Sequence, residues 1–125
     1  MNENNSLISI KCFIQKINQG KEFCIIDATW YLPVINRNAK NEYLNQHIEN
    51  AHFFDIDKIS NKNNSLPHML PPKNLFEKYL KKLGLKTDTH VVIYSNSNPT
   101  SASRVWWTFK YYGHEKVSIL KGNVI

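Results

Sequence analysis

The chain has 125 residues, 42% of them hydrophobic and 21% charged, which suits a single domain with its own core and excludes disordered and fibrous classes. No apolar run approaches the roughly 20 residues of a membrane helix and no cationic leader opens the chain, so a soluble, non-secreted, cytoplasmic protein that engages no membrane is expected. Two cysteines are too few for a disulfide scaffold, and a net charge of +6 on scattered lysines lacks the clustered footprint of a nucleic-acid binder.

Ser9 is placed to cap a helix in which Ile10, Phe13, Ile14 and Ile17 share one face, with Asn18 and Gly20 as the stop. Phe23 to Ile26 is a short apolar run of the buried-strand type, ending at Asp27. Trp30 to Asn36 reads as a loop, Asn38 to Gln46 as a modest helix, and Ala51 to Phe54 as a short strand leading into Asp55-Ile56-Asp57. Residues 60 to 72, rich in Asn, Ser and Pro, form the longest irregular stretch. Pro72 suits the first position of a helix carrying Leu75, Phe76, Tyr79, Leu80 and Leu83 on one side and closed by Gly84. His90 to Tyr94 is the clearest strand. A polar turn, Ser95 to Thr100, leads to a helix from about Ser101 to Tyr112, and after Gly113 comes a last strand, Val117 to Leu120. Short apolar strands alternating with helices predict an α/β fold with a mainly parallel sheet covered on both faces. The chain then runs out at Ile125 where a closing C-terminal helix is expected, which predicts a truncated domain with an exposed apolar edge and a tendency to self-associate.

In such folds ligands bind beyond the carboxyl ends of strands, close to helix N-termini. The segment from Ser95 to Arg104 occupies such a place and has two readings: an anion cradle in which Arg104 adds a forked donor, or a connecting turn with capping residues. It contains no cysteine, and its serines lack the surrounding pattern of an activated nucleophile. A phosphatase-type phosphate loop, which needs a cysteine ahead of the arginine, is therefore disfavoured. His47, His52, His90 and His114 show no metal spacing, so neither metal nor cofactor is expected. His68, eleven residues after Asp57 in the long loop, forms with it either an Asp–His pair or nothing more than a solvated loop histidine. Cys24 is expected to be inert core packing, and Cys12 an exposed, incidental thiol.

Five strings carry a family likeness: Asp27-Ala28-Thr29-Trp30-Tyr31-Leu32-Pro33; His47-Ile48 with Ala51 to Asp57; Leu66 to Pro71; Arg104-Val105-Trp106-Trp107; and Gly113-His114 with Val117-Ser118. In this order they resemble the N-terminal rhodanese domain of two-domain mercaptopyruvate and thiosulfate sulfurtransferases. The resemblance implies that residues 1–125 are a non-catalytic rhodanese-like domain whose partner, a second rhodanese domain, is absent. That second domain would hold the catalytic cysteine and take sulfur as a persulfide from a small anionic donor. Ser95 then marks the position of the missing nucleophile, with Arg104 in the inactive copy of the catalytic loop. Asp57 and His68 match an accessory pair offered across the interdomain cleft, while Trp106 and Trp107 would be core packing. Ser95 replaces an acid often found there, and Lys121-Gly122-Asn123 departs from the more usual Asp-Gly-Gly. The rival expectation is a stand-alone, non-catalytic binding module of the same fold.

Overall fold

The computed structural model describes residues 7–59, 70–97 and 99–121. Five strands, β1 (Leu7–Ser9), β2 (Cys24–Asp27), β3 (His52–Phe53), β4 (Val91–Tyr94) and β5 (Val117–Lys121), form one sheet in the order β1-β5-β4-β2-β3. Every neighbouring pair is parallel, as the alternation of strands and helices predicts. The helices are α1 (Ile10–Asn18), α2 (Ala39–Asn45), α3 (Lys73–Leu83) and α4 (Pro99–Tyr111).

Side chains alternate across the pleat and divide the core in two. Ile26, Val91, Ile93 and Val117 face α3 and α4, meeting Phe76, Ala102, Val105 and Phe109. Ile8, Ile25, Val92, Tyr94 and Leu120 face the other way, toward Phe13 of α1 and Tyr43 of α2. Both faces of the sheet are therefore covered, and the central strand β4 is buried along its whole length.

Local signals explain the boundaries. The Ser9 hydroxyl accepts the Cys12 amide at 3.1 Å and starts α1, and the Asn38 side chain does the same for Asn41 at 2.9 Å in α2. Gly84 ends α3 at φ +67°, a left-handed conformation that a side chain disfavours.

The structure revises five points. β1 is an added strand, too short to show a pattern. Pro72 is the extended residue before α3 rather than its first helical residue, with ψ 146°. The helix expected from Ser101 begins at Pro99, and a single 3-10 turn, Pro33–Ile35, interrupts the loop after β2. Cys12 is half-buried against the α1 side of the core, where an exposed thiol was expected. The expectation about a closing helix concerns residues after Lys121, which lie outside those described.

Candidate functional site

Because the strands are parallel, the segments following β2, β3 and β4 emerge at one edge of the sheet and meet there. The segments after β2 and β4 stay tied to each other past the sheet, first by backbone and then by side chains. The Ala28 amide donates to the Tyr94 carbonyl at 2.8 Å, the Asn96 amide to Thr29 Oγ1 at 2.9 Å, and the Trp30 amide to Ser97 Oγ at 3.2 Å. Asp27, buried at 1% exposure, accepts the Thr29 amide at 2.9 Å and fixes the start of this turn. Burial, reinforced by the Asp27 charge, pushes the Tyr94 hydroxyl well above the usual tyrosine range, so it stays protonated.

The turn after β4 is closed by its own hydroxyls. Ser95 Oγ accepts the Ser97 amide at 3.1 Å and lies 2.8 Å from Ser97 Oγ and 2.9 Å from Ser101 Oγ, at the start of α4. Of the two readings of this loop, the bonds favour a capped turn, with its serine hydroxyls committed to one another beside the helix start. Ser95 is buried, whereas Arg104 stands exposed on α4.

Asp57 is exposed at the same edge, and its Oδ1 accepts the Trp30 indole N–H at 3.1 Å. His68 lies outside the described residues. Beside Asp57 an open cleft of about 300 Å³ runs past Thr29, Trp30, Tyr31 and Arg37 to Asp55 and Lys58. Tyr31 and Arg37 on its far side belong to a clamp that no sequence motif announces. Arg37 grips Glu42 of α2 with two bonds, at 2.9 and 2.7 Å, while its guanidinium lies 4.3 Å from the centre of the Tyr31 ring. The Tyr31 hydroxyl also donates to Glu42, at 3.0 Å. Arg37 holds the Glu42 carboxyl below its usual range, and desolvation, with Glu42 beside it, raises the Tyr31 phenol.

His90 is buried beside the Ser118 hydroxyl at 2.9 Å, and His114 Nε2 lies 2.8 Å from the Thr89 carbonyl. Burial pushes the Cys24 thiol up to about 11, in keeping with an inert core residue. The two tryptophans part company. Trp106 packs on the core and donates to the Val117 carbonyl at 3.1 Å, but Trp107 is 54% exposed beside Tyr111 and is not core packing. Among the described residues, no cluster of three His, Cys, Asp or Glu side chains could hold a metal ion, and no helix is long and apolar enough to cross a membrane.

The profile of the rhodanese-like domain family matches residues 9–124. Human 3-mercaptopyruvate sulfurtransferase is 44% identical over 107 residues, which span 84% of this chain and 36% of that protein. Bovine thiosulfate sulfurtransferase is 39% identical over 122 residues, 94% of this chain and 41% of its own length. The crystal structure of Escherichia coli SseA, a 3-mercaptopyruvate sulfotransferase, superposes with a TM-score of 0.84 at 39% identity, covering 96% of this chain and 46% of that one. The chain thus spans about two fifths of the curated relatives it matches.

Proposed function

This chain belongs to the rhodanese-like domain family, and on that footing we propose that it is the non-catalytic N-terminal half of a two-domain sulfurtransferase. One observation carries the reading: at the carboxyl end of β4 stands Ser95, buried and bonded into a hydroxyl cluster, in a loop without a thiol. In a second domain, the same loop with a cysteine would supply the nucleophile. Its thiolate takes the outer sulfur of thiosulfate, releasing sulfite, or the sulfur of 3-mercaptopyruvate, releasing pyruvate once the carbon is protonated. The persulfide sulfur then passes to a thiol or to cyanide.

The contribution of this half is one wall of the cleft. Asp57 and His68 are the proposed accessory pair, with the carboxylate orienting an imidazole that moves the protons these steps require. Small anionic donors also suit a chain of net charge +6.

Cys24 does not replace the missing nucleophile. With its pKa at about 11, Cys24 is ionised to only about one part in ten thousand at pH 7. The chain alone, given either donor and cyanide, is therefore expected to form no thiocyanate above background, and its intact mass should not gain a sulfur atom. Turnover that disappears in Cys12→Ser would overturn the reading.

The isolated chain is further expected to self-associate. Ile14 and Ile17 of α1 are 51% and 41% exposed and flank an apolar groove with Phe23 and Ile48. A concentration-independent monomer in sedimentation velocity would remove this expectation.

A further inference from the structure

We propose that Trp30 is a positioning residue for Asp57, and that the Ser95–Ser97–Ser101 hydroxyl cluster is the strut that holds Trp30. The inference rests on the reading that Asp57 acts in the cleft, and it gives the cysteine-free loop a task of its own.

An exposed carboxylate on a loop rotates freely in water, and a proton-handling pair needs it fixed in direction. An indole is suited to fixing it. Its single N–H only donates, its ring has two torsions, and a bond to a carboxylate is charge-assisted. Here the indole N–H reaches Asp57 Oδ1 at 3.1 Å, while the Trp30 ring packs on the core cluster shared with α3 and α4.

The ring is only as fixed as its backbone, and the backbone is held from the opposite loop. The Trp30 amide donates to Ser97 Oγ at 3.2 Å. That oxygen is placed in turn by Ser95 Oγ at 2.8 Å and Ser101 Oγ at 3.3 Å. A parallel tie one residue back on each loop, Asn96 amide to Thr29 Oγ1, stops the two loops from sliding past each other. A continuous path of hydrogen bonds therefore runs from the first turn of α4, through three hydroxyls and one indole, to the Asp57 carboxylate. Hydroxyl groups at a position where a working loop would keep a reactive sulfur are here committed to geometry.

The test uses this chain and nuclear magnetic resonance. In Ser97→Ala the Trp30 indole N–H should exchange with solvent at least about tenfold faster than in the parent, approaching its rate in Asp57→Ala, as expected for the loss of one charge-assisted bond. Ser97→Thr, which keeps the hydroxyl, should restore slow exchange. Trp30→Phe, which keeps the ring and removes the donor, should move the Asp57 carboxyl carbon resonance. Parent-like indole exchange in a folded Ser97→Ala chain overturns the strut. An unmoved Asp57 resonance in Trp30→Phe overturns the positioning role, and this second variant decides the matter if the first fails to fold. Neither readout involves turnover, so a failure here leaves the sulfurtransferase reading intact, while unchanged sulfur transfer in Asp57→Asn of the two-domain protein would remove the accessory-pair role without touching the strut.

Discussion

Replacing Phe76 with alanine should cost about 3–5 kcal/mol of folding stability, a large share of the roughly 5–15 kcal/mol that a domain possesses. Phe76 is 1% exposed and stands between two aromatic partners of α4 and its end. Its ring meets Phe109 edge-on with centroids 5.0 Å apart and stacks on Tyr112 at 5.3 Å. Three rings from two helices leave little freedom to collapse into the void, so the cavity term adds to the lost transfer energy. The effect should reach the cleft, because α4 carries Ser101 at its first turn and α4 is seated by this contact. Urea unfolding followed by circular dichroism gives the measurement. Phe76→Leu should fall well short of the alanine loss, and a loss below about 1 kcal/mol in Phe76→Ala would show that α3 does not anchor α4.

Alkaline solution should weaken the fold in a way that one residue partly explains. Burial pushes Cys24 from 9.0 to about 11, and burial also lifts Tyr79 and Tyr94 above the ordinary tyrosine range. Each group stays protonated in the native chain at a pH where the unfolded chain has released its proton. The unfolded state then binds fewer protons, so stability falls as pH rises, beginning near the unfolded thiol value and steepening as tyrosines ionise near 10. The two pH units between 9.0 and about 11 correspond to roughly 3 kcal/mol from Cys24 alone, approached only once the pH passes above that upper value. Melting temperatures taken from pH 7 to 10.5 should therefore drop more steeply for the parent than for Cys24→Ala. Equal slopes would mean that Cys24 does not contribute.

Much of this fold was legible because its elements are punctuated by residues with one physical role each. Ser9 and Asn38 cap helices, Gly84 and Gly113 take positive φ, and the apolar runs at 23–26 and 90–94 are too short for helices. What escaped was of two kinds. β1 has three residues and one buried side chain, so no period can be read from it. Trp107 sits in an apolar run that looks uniformly buried, yet a helix turns every fourth residue or so toward another side, and this one faces outward at 54% exposure.

The candidate site was legible only in part, for a topological reason. Asp57 stood out because of its relation to His68, which lies outside the described residues, and Ser95 because of its place after a strand. Trp30 passed as a loop residue. Asp57 and Ser97, to which it bonds, are 27 and 67 residues away, and no local spacing announces a bond between turns that follow different strands. The Arg37–Glu42 clamp is local, five residues apart, but a charge pair at that distance is common on any surface and became informative only when Tyr31 was seen to share it.

The sheet order has a consequence for how the chain acquires its shape during synthesis. Among the described residues β1 pairs with β5, joining Leu7 to Ile119, and with no other strand, so β1 must wait for the arrival of β5. At translation rates of about 5–20 residues per second, that wait lasts roughly several to twenty seconds, longer than hairpin or helix formation takes. Throughout it, Ile8 and Phe13 have no finished sheet to cover, and the emerging chain offers them to whatever binds apolar segments at the ribosome exit. Pairing at such sequence separation also makes the final closure slow in a refolding experiment. Folding of this domain is thus a late event, set by the arrival of β5.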